Sequence, residues 1–271
     1  MSTTKKQIMR QEVLEGRPVT AFGIIDVHTH LGYWHNFYVP ERTAADMVHA
    51  MDRVGINCCI SAAHAGISTD YRMGNSQVIA AMQDFPGRIL GHCCVNGNYP
   101  AKEMVDELER CSRAGMTAIK FHPSMHRCPI DGDGYQPAWE YANEHGLAIL
   151  THTEGGAGGT CGVVQVAKCA LKYPNAKIVL GHSGFGYPGA KSCIEVAKDT
   201  PNAYYDIAGS MCDFKLVEML VDGIGADRML FGTDLPFLDC RMQIGRVAFS
   251  DLDDEQISLL LAGNARGVFG I

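Results

Sequence analysis

Short apolar runs rich in Val, Ile, Leu and Cys recur at Ile24, Ile56 to Ala62, Arg88 to Val95, Met116 to Phe121, Leu147 to Leu150, Ala176 to Leu180, Ala203 to Ile207 and Met229 to Phe231. Runs this short read as strands. The segments between them carry helical spacing with recognisable ends. Thr43 can cap a helix whose Met47, Met51 and Val54 form one stripe before Gly55 stops it, and Pro137 can occupy the first turn of another that ends at Gly146. Met104, Leu108 and Cys111 make a similar stripe before Gly115, and Asp253 with Gln256 resembles a capping box ahead of Ile257, Leu260 and Leu261. Strand and helix therefore alternate about eight times in units of roughly 25 to 35 residues, the size of a βα step.

Two architectures satisfy that alternation. A doubly wound sheet concentrates its functional residues at a switch point beside a glycine-rich first turn; a closed barrel spreads them over the C-terminal ends of many strands. Here the first run leads into Asp26-Val27-His28-Thr29-His30, with no Gly-x-Gly-x-x-Gly. The expected fold is an α/β single domain, a (β/α)8 TIM barrel over residues 21–271. Residues 1–20 are polar, carry Gly16 and Pro18 and show no clear period, so they are expected to form a leader packed on the barrel.

Composition narrows the partners. At 271 residues with 46% hydrophobic and 20% charged side chains, the chain can bury one large core, and its net charge of −7 gives no general attraction to nucleic acid or anionic membrane. No apolar run approaches the roughly 18 residues of a membrane span, and Met1 to Arg10 lacks the apolar core of a secretory signal, which makes a cytoplasmic location the expectation. The 11 cysteines include the vicinal pairs Cys58-Cys59 and Cys93-Cys94 inside apolar runs and no Cys-x-x-Cys, so they read as reduced core residues rather than disulfides or a thiolate metal site.

The chemistry lies in the residues at the C-terminal end of each run. On a strand His28 and His30 project to one side and can grip one ion. The fourth run ends at His122-Pro123, the fifth at Thr151-His152-Thr153, the sixth at Gly181-His182-Ser183-Gly184 and the eighth at Gly232-Thr233-Asp234. In a barrel those ends meet on one rim. Imidazole nitrogens with one carboxylate suit a divalent ion such as zinc, which lowers the pKa of a bound water toward ~7 and polarises carbonyls. No Gly-x-Ser-x-Gly elbow and no phosphate-binding Walker loop compete with that reading.

The ordered set Asp-Val-His-Thr-His, Lys-Phe-His-Pro at the fourth strand, His152, Gly-His-Ser-Gly, Gly-Thr-Asp-Leu-Pro and the closing Gly263-Asn264-Ala265-Arg266 resembles the amidohydrolase-related family of the metal-dependent hydrolase superfamily. That family includes aminocarboxymuconate semialdehyde decarboxylase and related decarboxylases. The resemblance implies His28, His30, His152 and Asp234 as metal ligands, with Asp234 also holding the water and serving as a catalytic group. It implies His182 as a second catalytic group, for proton transfer or substrate polarisation in mononuclear members and as a ligand in binuclear ones. One divalent metal ion is expected, zinc first with manganese as the alternative, and a second metal is less favoured because Lys120 fits the Lys-x-His-Pro of the mononuclear group.

Each assignment has a structural competitor. Asp234 can simply cap the turn before Pro236, His182 can be a loop histidine between glycines, and Lys120 can neutralise a buried acid such as Asp26. His122, Lys120 and Trp34 are the candidates for substrate contact, with Tyr33 beside Trp34 at the mouth. Arg72, Arg127 and Arg241 stand as unranked partners for a substrate carboxylate, and the glycines 155–159 as backbone donors to an anion. His35, His49, His64, His92, His126 and His145 read as structural or solvated, and Asn264 as the cap of the last helix.

The function expected first is hydrolysis of an amide, ester or lactone carbonyl in a small-molecule substrate. The alternative is a metal-dependent decarboxylase acting on a small aromatic or enoic acid, and a catalytically silent barrel is a third reading. No nucleic-acid or membrane partner is expected, and homo-oligomerisation is expected only by the general habit of soluble enzymes.

Overall fold

Each apolar run becomes a strand in the computed structural model, which describes residues 3–271; the first two residues of the leader lie outside the described residues. The strands are β1 (Ile25–Leu31), β2 (Cys58–Ala63), β3 (Ile89–Cys94), β4 (Ala118–Phe121), β5 (Ala148–His152), β6 (Lys177–Gly181), β7 (Ala203–Asp206) and β8 (Met229–Leu230). They pair in parallel in sequence order as one 8-stranded sheet. β8 is only two residues long, and the segment after it completes the seam with β1. Val27 N–H donates to Phe231 O at 2.9 Å, Asp234 N–H to His28 O at 2.9 Å and His30 N–H to Leu235 O at 2.7 Å. The result is the expected (β/α)8 barrel, and among the described residues no helix is long and apolar enough to cross a membrane.

The helix ends follow local chemistry. Thr43 and Asp46 form a reciprocal capping box on the helix Ala44–Val54, which ends at Gly55 with φ 89°. Pro137 sits in the first turn of Gln136–His145, and Asp253 with Gln256 forms the box on Asp254–Ser258. All 11 cysteines are free, and only Cys58 is not fully buried.

Apolar packing falls into two layers. The larger lies between the strands and the surrounding helices. The smaller fills the barrel with Ile25, Val27, Ile60, Leu150, Val179 and Leu230, and Val268 and Phe269 of the last helix plug it from below. The phase of β1 changes on the way up. Its register against β2 slips between Asp26 and Thr29, so that Ile25 and Val27 face the interior below, while His28 and His30 face the site above. A bulge of this kind re-aims side chains at the cost of a ladder position.

The leader is more ordered than its sequence suggested. Lys5–Leu14 is a helix, started by a capping box of Thr4 with Gln7. Asp254 accepts the backbone N–H of Lys5 at 3.0 Å and of Lys6 at 2.9 Å, and buried Glu12 accepts from Thr20. With little apolar stripe of its own, this helix depends on a carboxylate at its positive end and on tertiary contact.

Asn264 is a second correction. It has helical dihedrals (φ −68°, ψ −38°) inside a continuous helical stretch broken by a π-turn at Leu259–Gly263, so it caps nothing. Its amide instead donates to the carbonyls of Ala226 and Met229, both at 2.7 Å, tying the last helix to the start of β8. Asn264→Ala is expected to lower stability by ~1–3 kcal/mol, because the two carbonyls lose their donor. Urea unfolding would read this, and an unchanged midpoint would contradict it.

Candidate metal centre

The polar side chains at the strand ends converge as the topology requires. One donor atom from each of His28, His30 and Asp234 lies within 4.8 Å of the others. His30 Nε2 is 3.2 Å and His28 Nε2 4.0 Å from Asp234 Oδ1. Spacings of this order are those of atoms that share one ion at ~2.0–2.2 Å each. Gly181 and Gly232 make room for the first of these side chains: a Cβ on Gly181 would stand 3.0 Å from the His28 ring, and one on Gly232 2.9 Å from the His28 Cβ.

A buried carboxylate at the end of β7 fixes that ring. Asp206 Oδ2 lies 2.8 Å from His28 Nδ1, which sets the tautomer that leaves Nε2 facing the site. The other oxygen of Asp206 accepts the backbone N–H groups of His182 at 2.8 Å and Ala208 at 3.0 Å. Asp206 thus joins β1, β6 and β7 behind the donors.

His182 sits in a constrained turn. His182, Ser183 and Phe185 have φ of 63°, 45° and 63°, and Asp234 has φ 66°. Left-handed backbone at non-glycine residues is costly and gathers at functional sites. The turn is held by Ser183 Oγ donating to Asp206 O at 2.6 Å and Gly184 N–H donating to Thr153 Oγ1 at 3.1 Å. The His182 ring lies 4.7 Å from that of His28 and 4.8 Å from that of His152.

Burial sets the charges. It pushes His28 well below the usual imidazole range and His30 down to about 3, so both rings are neutral with a lone pair to offer. Burial also pushes the Asp234 carboxyl up, but His30 beside it and the neighbouring His182 and His28 reverse that and hold it below the ordinary range. Lys120 is lowered to about 8, mainly by burial, with Asp206 and Asp234 opposing. Neutral imidazoles around a carboxylate form a donor set that fits a divalent cation. Lys120 Nζ, 2.8 Å from His28 Nε2, stands beside the same point.

That placement corrects one expectation. Lys120 does not neutralise Asp26. Asp26 is bonded by Thr233 Oγ1 at 2.5 Å and by the backbone N–H groups of Thr233 and His28, and burial, which outweighs those bonds, raises its pKa to about 7. His152 is in the same mouth but is not grouped with His28, His30 and Asp234: its Nε2 lies 2.7 Å from Glu154 Oε1, with Cys161 nearby. His122 stacks on His152 with centroids 4.4 Å apart and planes at 11°.

One wall of the site is aromatic. Phe237 stands 5.5 Å from the His30 ring, His64 5.2 Å from it, and Trp34 5.1 Å from both His64 and Phe237. Trp34 is half-buried in this wall, whereas Tyr33 is exposed and packs under Arg42. The arginines are not at the donors. Arg72 pairs with Glu103, Arg241 with Asp239, and Arg127 is exposed. Among the glycines 155–159, Gly155 N–H is spent on Gly184 O at 3.0 Å.

A family model for amidohydrolases matches residues 25–271. The chain belongs to the amidohydrolase family. The fold of this family member is similar to that of three solved decarboxylases. The 5-carboxyvanillate decarboxylase of Sphingomonas paucimobilis matches with a TM-score of 0.71 at 14% identity, over 92% of this chain and 99% of that one. The 2,6-dihydroxybenzoate decarboxylase of Rhizobium matches with a TM-score of 0.71 at 16% identity, over 92% and 99%. A dihydroxybenzoic acid decarboxylase of Polaromonas, which carries manganese and the inhibitor 2-nitroresorcinol, matches with a TM-score of 0.73 at 19% identity, over 92% and 97%. At such identities the likeness is one of fold.

Three residues of this amidohydrolase site escaped the sequence. Asp206 lies inside the seventh apolar run and is the last residue of β7, so asking for a polar residue at every strand end would have found it only once the strand's end was known. His64 directly follows β2 and met the same criterion, but nothing in its neighbourhood marked it off from other helix-start histidines. Glu154 lies two residues past His152, and only the fold shows that it turns back to it.

Proposed function

We propose that this protein is a metal-dependent decarboxylase, a carbon–carbon lyase for a small aromatic or enoic acid. The observation that carries the reading is the aromatic wall of Trp34, His64 and Phe237 standing against the donor residue His30. Such a wall suits a flat ring delivered to the ion. The decarboxylase names of the similar structures support the same choice. Hydrolysis, placed first on the sequence, falls to second because the donor set serves both reactions and the pocket wall favours a flat acid.

In this reading His28, His30, His152 and Asp234 hold one divalent ion, and zinc and manganese both suit the donors. When bound, the ion supplies Lewis-acid orientation of the substrate oxygens. The chain's own groups do the rest. Lys120, buried beside His28, places positive charge next to an incoming carboxylate, and the aromatic wall aligns the ring plane. Loss of carbon dioxide breaks the C–C bond and leaves its electron pair on the ring carbon, which then takes a proton. That proton comes from a substrate hydroxyl or from water and is relayed by Asp234, whose Oδ1 lies 4.0 Å from His28 Nε2, and by His182, whose ring lies 4.7 Å from that of His28. His122, stacked on His152, lines the entrance.

The test is carbon dioxide release from 2,6-dihydroxybenzoate, 5-carboxyvanillate and muconate-type acids by protein loaded with manganese or zinc. Turnover of at least one acid is expected. Silence across the acids together with cleavage of an amide, ester or lactone would overturn the proposal. With a turned-over aromatic acid, Trp34→Ala is expected to raise KM by ~3–10-fold, the worth of one aromatic contact, while leaving kcat largely intact. A fall in kcat alone would place Trp34 outside the binding wall.

A further inference from the structure

We propose that Glu154 is a positioning residue of the ion site: it takes the Nε2 hydrogen of His152 and so leaves Nδ1 as the nitrogen free to bind the ion. The inference rests on His152 being a ligand, as proposed above. Its basis is the 2.7 Å separation of His152 Nε2 from Glu154 Oε1. A ring nitrogen that donates its hydrogen has no lone pair left for a metal, so the pairing decides which nitrogen serves.

The site already contains this device once. Asp206, 2.8 Å from His28 Nδ1, leaves Nε2 of that ring as the donor. Glu154 does the same for the histidine at β5 with the nitrogens exchanged. The two carboxylates thus prepare complementary edges of two rings before any ion arrives. Carboxylate partners of this sort orient ligand histidines and raise their basicity.

Glu154 is held in place to do so. Its backbone N–H donates to Cys161 O at 3.2 Å, closing the glycine loop on itself, and the next residue is tied to Gly184 O at 3.0 Å, on the turn that carries His182. The His152 ring is packed by His122 on its face and met edge-on by His182 at 71°. Glu154 is the more exposed partner, with 55% of its side chain accessible against 14% for His152, so its replacement is expected to spare the fold.

The experiment measures metal affinity rather than turnover. Apoprotein is titrated with zinc against a chromophoric chelator for the wild type, His152→Ala, Glu154→Ala and Glu154→Gln, with the unfolding midpoint of each apoprotein as the fold control. Glu154→Ala is expected to weaken zinc binding by ~10-fold, at the low end for such partners because the group is half exposed. Glu154→Gln keeps an acceptor oxygen and is expected to recover part of the loss. In the zinc-loaded wild type, nitrogen NMR of labelled histidine is expected to show His152 with its hydrogen on Nε2.

Three results would overturn the proposal. Affinity of Glu154→Ala within about two-fold of wild type, with His152→Ala impaired, removes Glu154 and leaves His152 a ligand. Unchanged affinity in His152→Ala removes the ligand reading and this inference with it. Binding of two ions that drops to one in Glu154→Ala makes Glu154 a ligand of a separate ion. None of these depends on which reaction the enzyme catalyses.

Discussion

Asp234→Asn is expected to lower turnover by ~10²–10⁴-fold while the barrel stays folded, the size of effect found when a positioned proton-transfer group is lost. Asparagine is the informative replacement. Asp234 has φ 66°, a conformation that asparagine tolerates and alanine does not, so the change of charge is separated from a change of backbone. The amide would still sit near His30 Nε2, 3.2 Å away in the native protein, but would no longer carry the negative charge that the neutral imidazoles surround. Metal affinity is expected to fall as well. Measuring kcat/KM at saturating metal distinguishes the two effects: recovery of more than a tenth of native activity there would show that Asp234 serves only to hold the ion.

Asp206 should carry the largest stability effect of any polar side chain near the site. It is fully buried and accepts from His28 Nδ1 and from the backbone N–H groups of His182 and Ala208. Asp206→Ala strands all three donors in a place that water does not reach, and a loss of ~3–5 kcal/mol is expected from leaving three buried N–H groups without an acceptor at ~1–3 kcal/mol each. Asp206→Asn keeps one acceptor oxygen and should cost less stability. It can, however, present an N–H to His28 Nδ1, which would turn the tautomer and weaken metal binding by ~10–100-fold. Urea unfolding and chelator competition on the two variants should therefore rank them in opposite ways relative to their severity in each assay. Equal, small effects on both would mean that Asp206 is a bystander.

These two carboxylates were unequally legible. Asp234 sits in Gly-Thr-Asp-Leu-Pro, a local pattern that stands out, and its place after an apolar run was enough to nominate it. Asp206 follows Tyr204 and Tyr205 with no motif around it, and its importance comes from two oxygens that reach residues 24 and 178 positions away. His64 and Glu154 belong with Asp206. Lys120 was nominated for substrate contact and stands beside His28, while its alternative partner, Asp26, is bonded by Thr233 across the barrel seam.

The alternation of apolar runs with amphipathic segments, the caps at Thr43, Gly55, Pro137 and Asp253, and the polar residues that follow the first, fourth, fifth, sixth and eighth runs were all determined locally, because strand and helix periodicity and capping are properties of neighbouring residues. The leader helix Lys5–Leu14, the slip in β1 that hands the interior from Val27 to His28, the tie of Asn264 to β8 and the pairing of His152 with Glu154 were decided only by the closed ring. So were the charges of the site, since an imidazole becomes neutral or a carboxylate stays ionised according to what the fold buries around it, and no stretch of sequence contains its own surroundings.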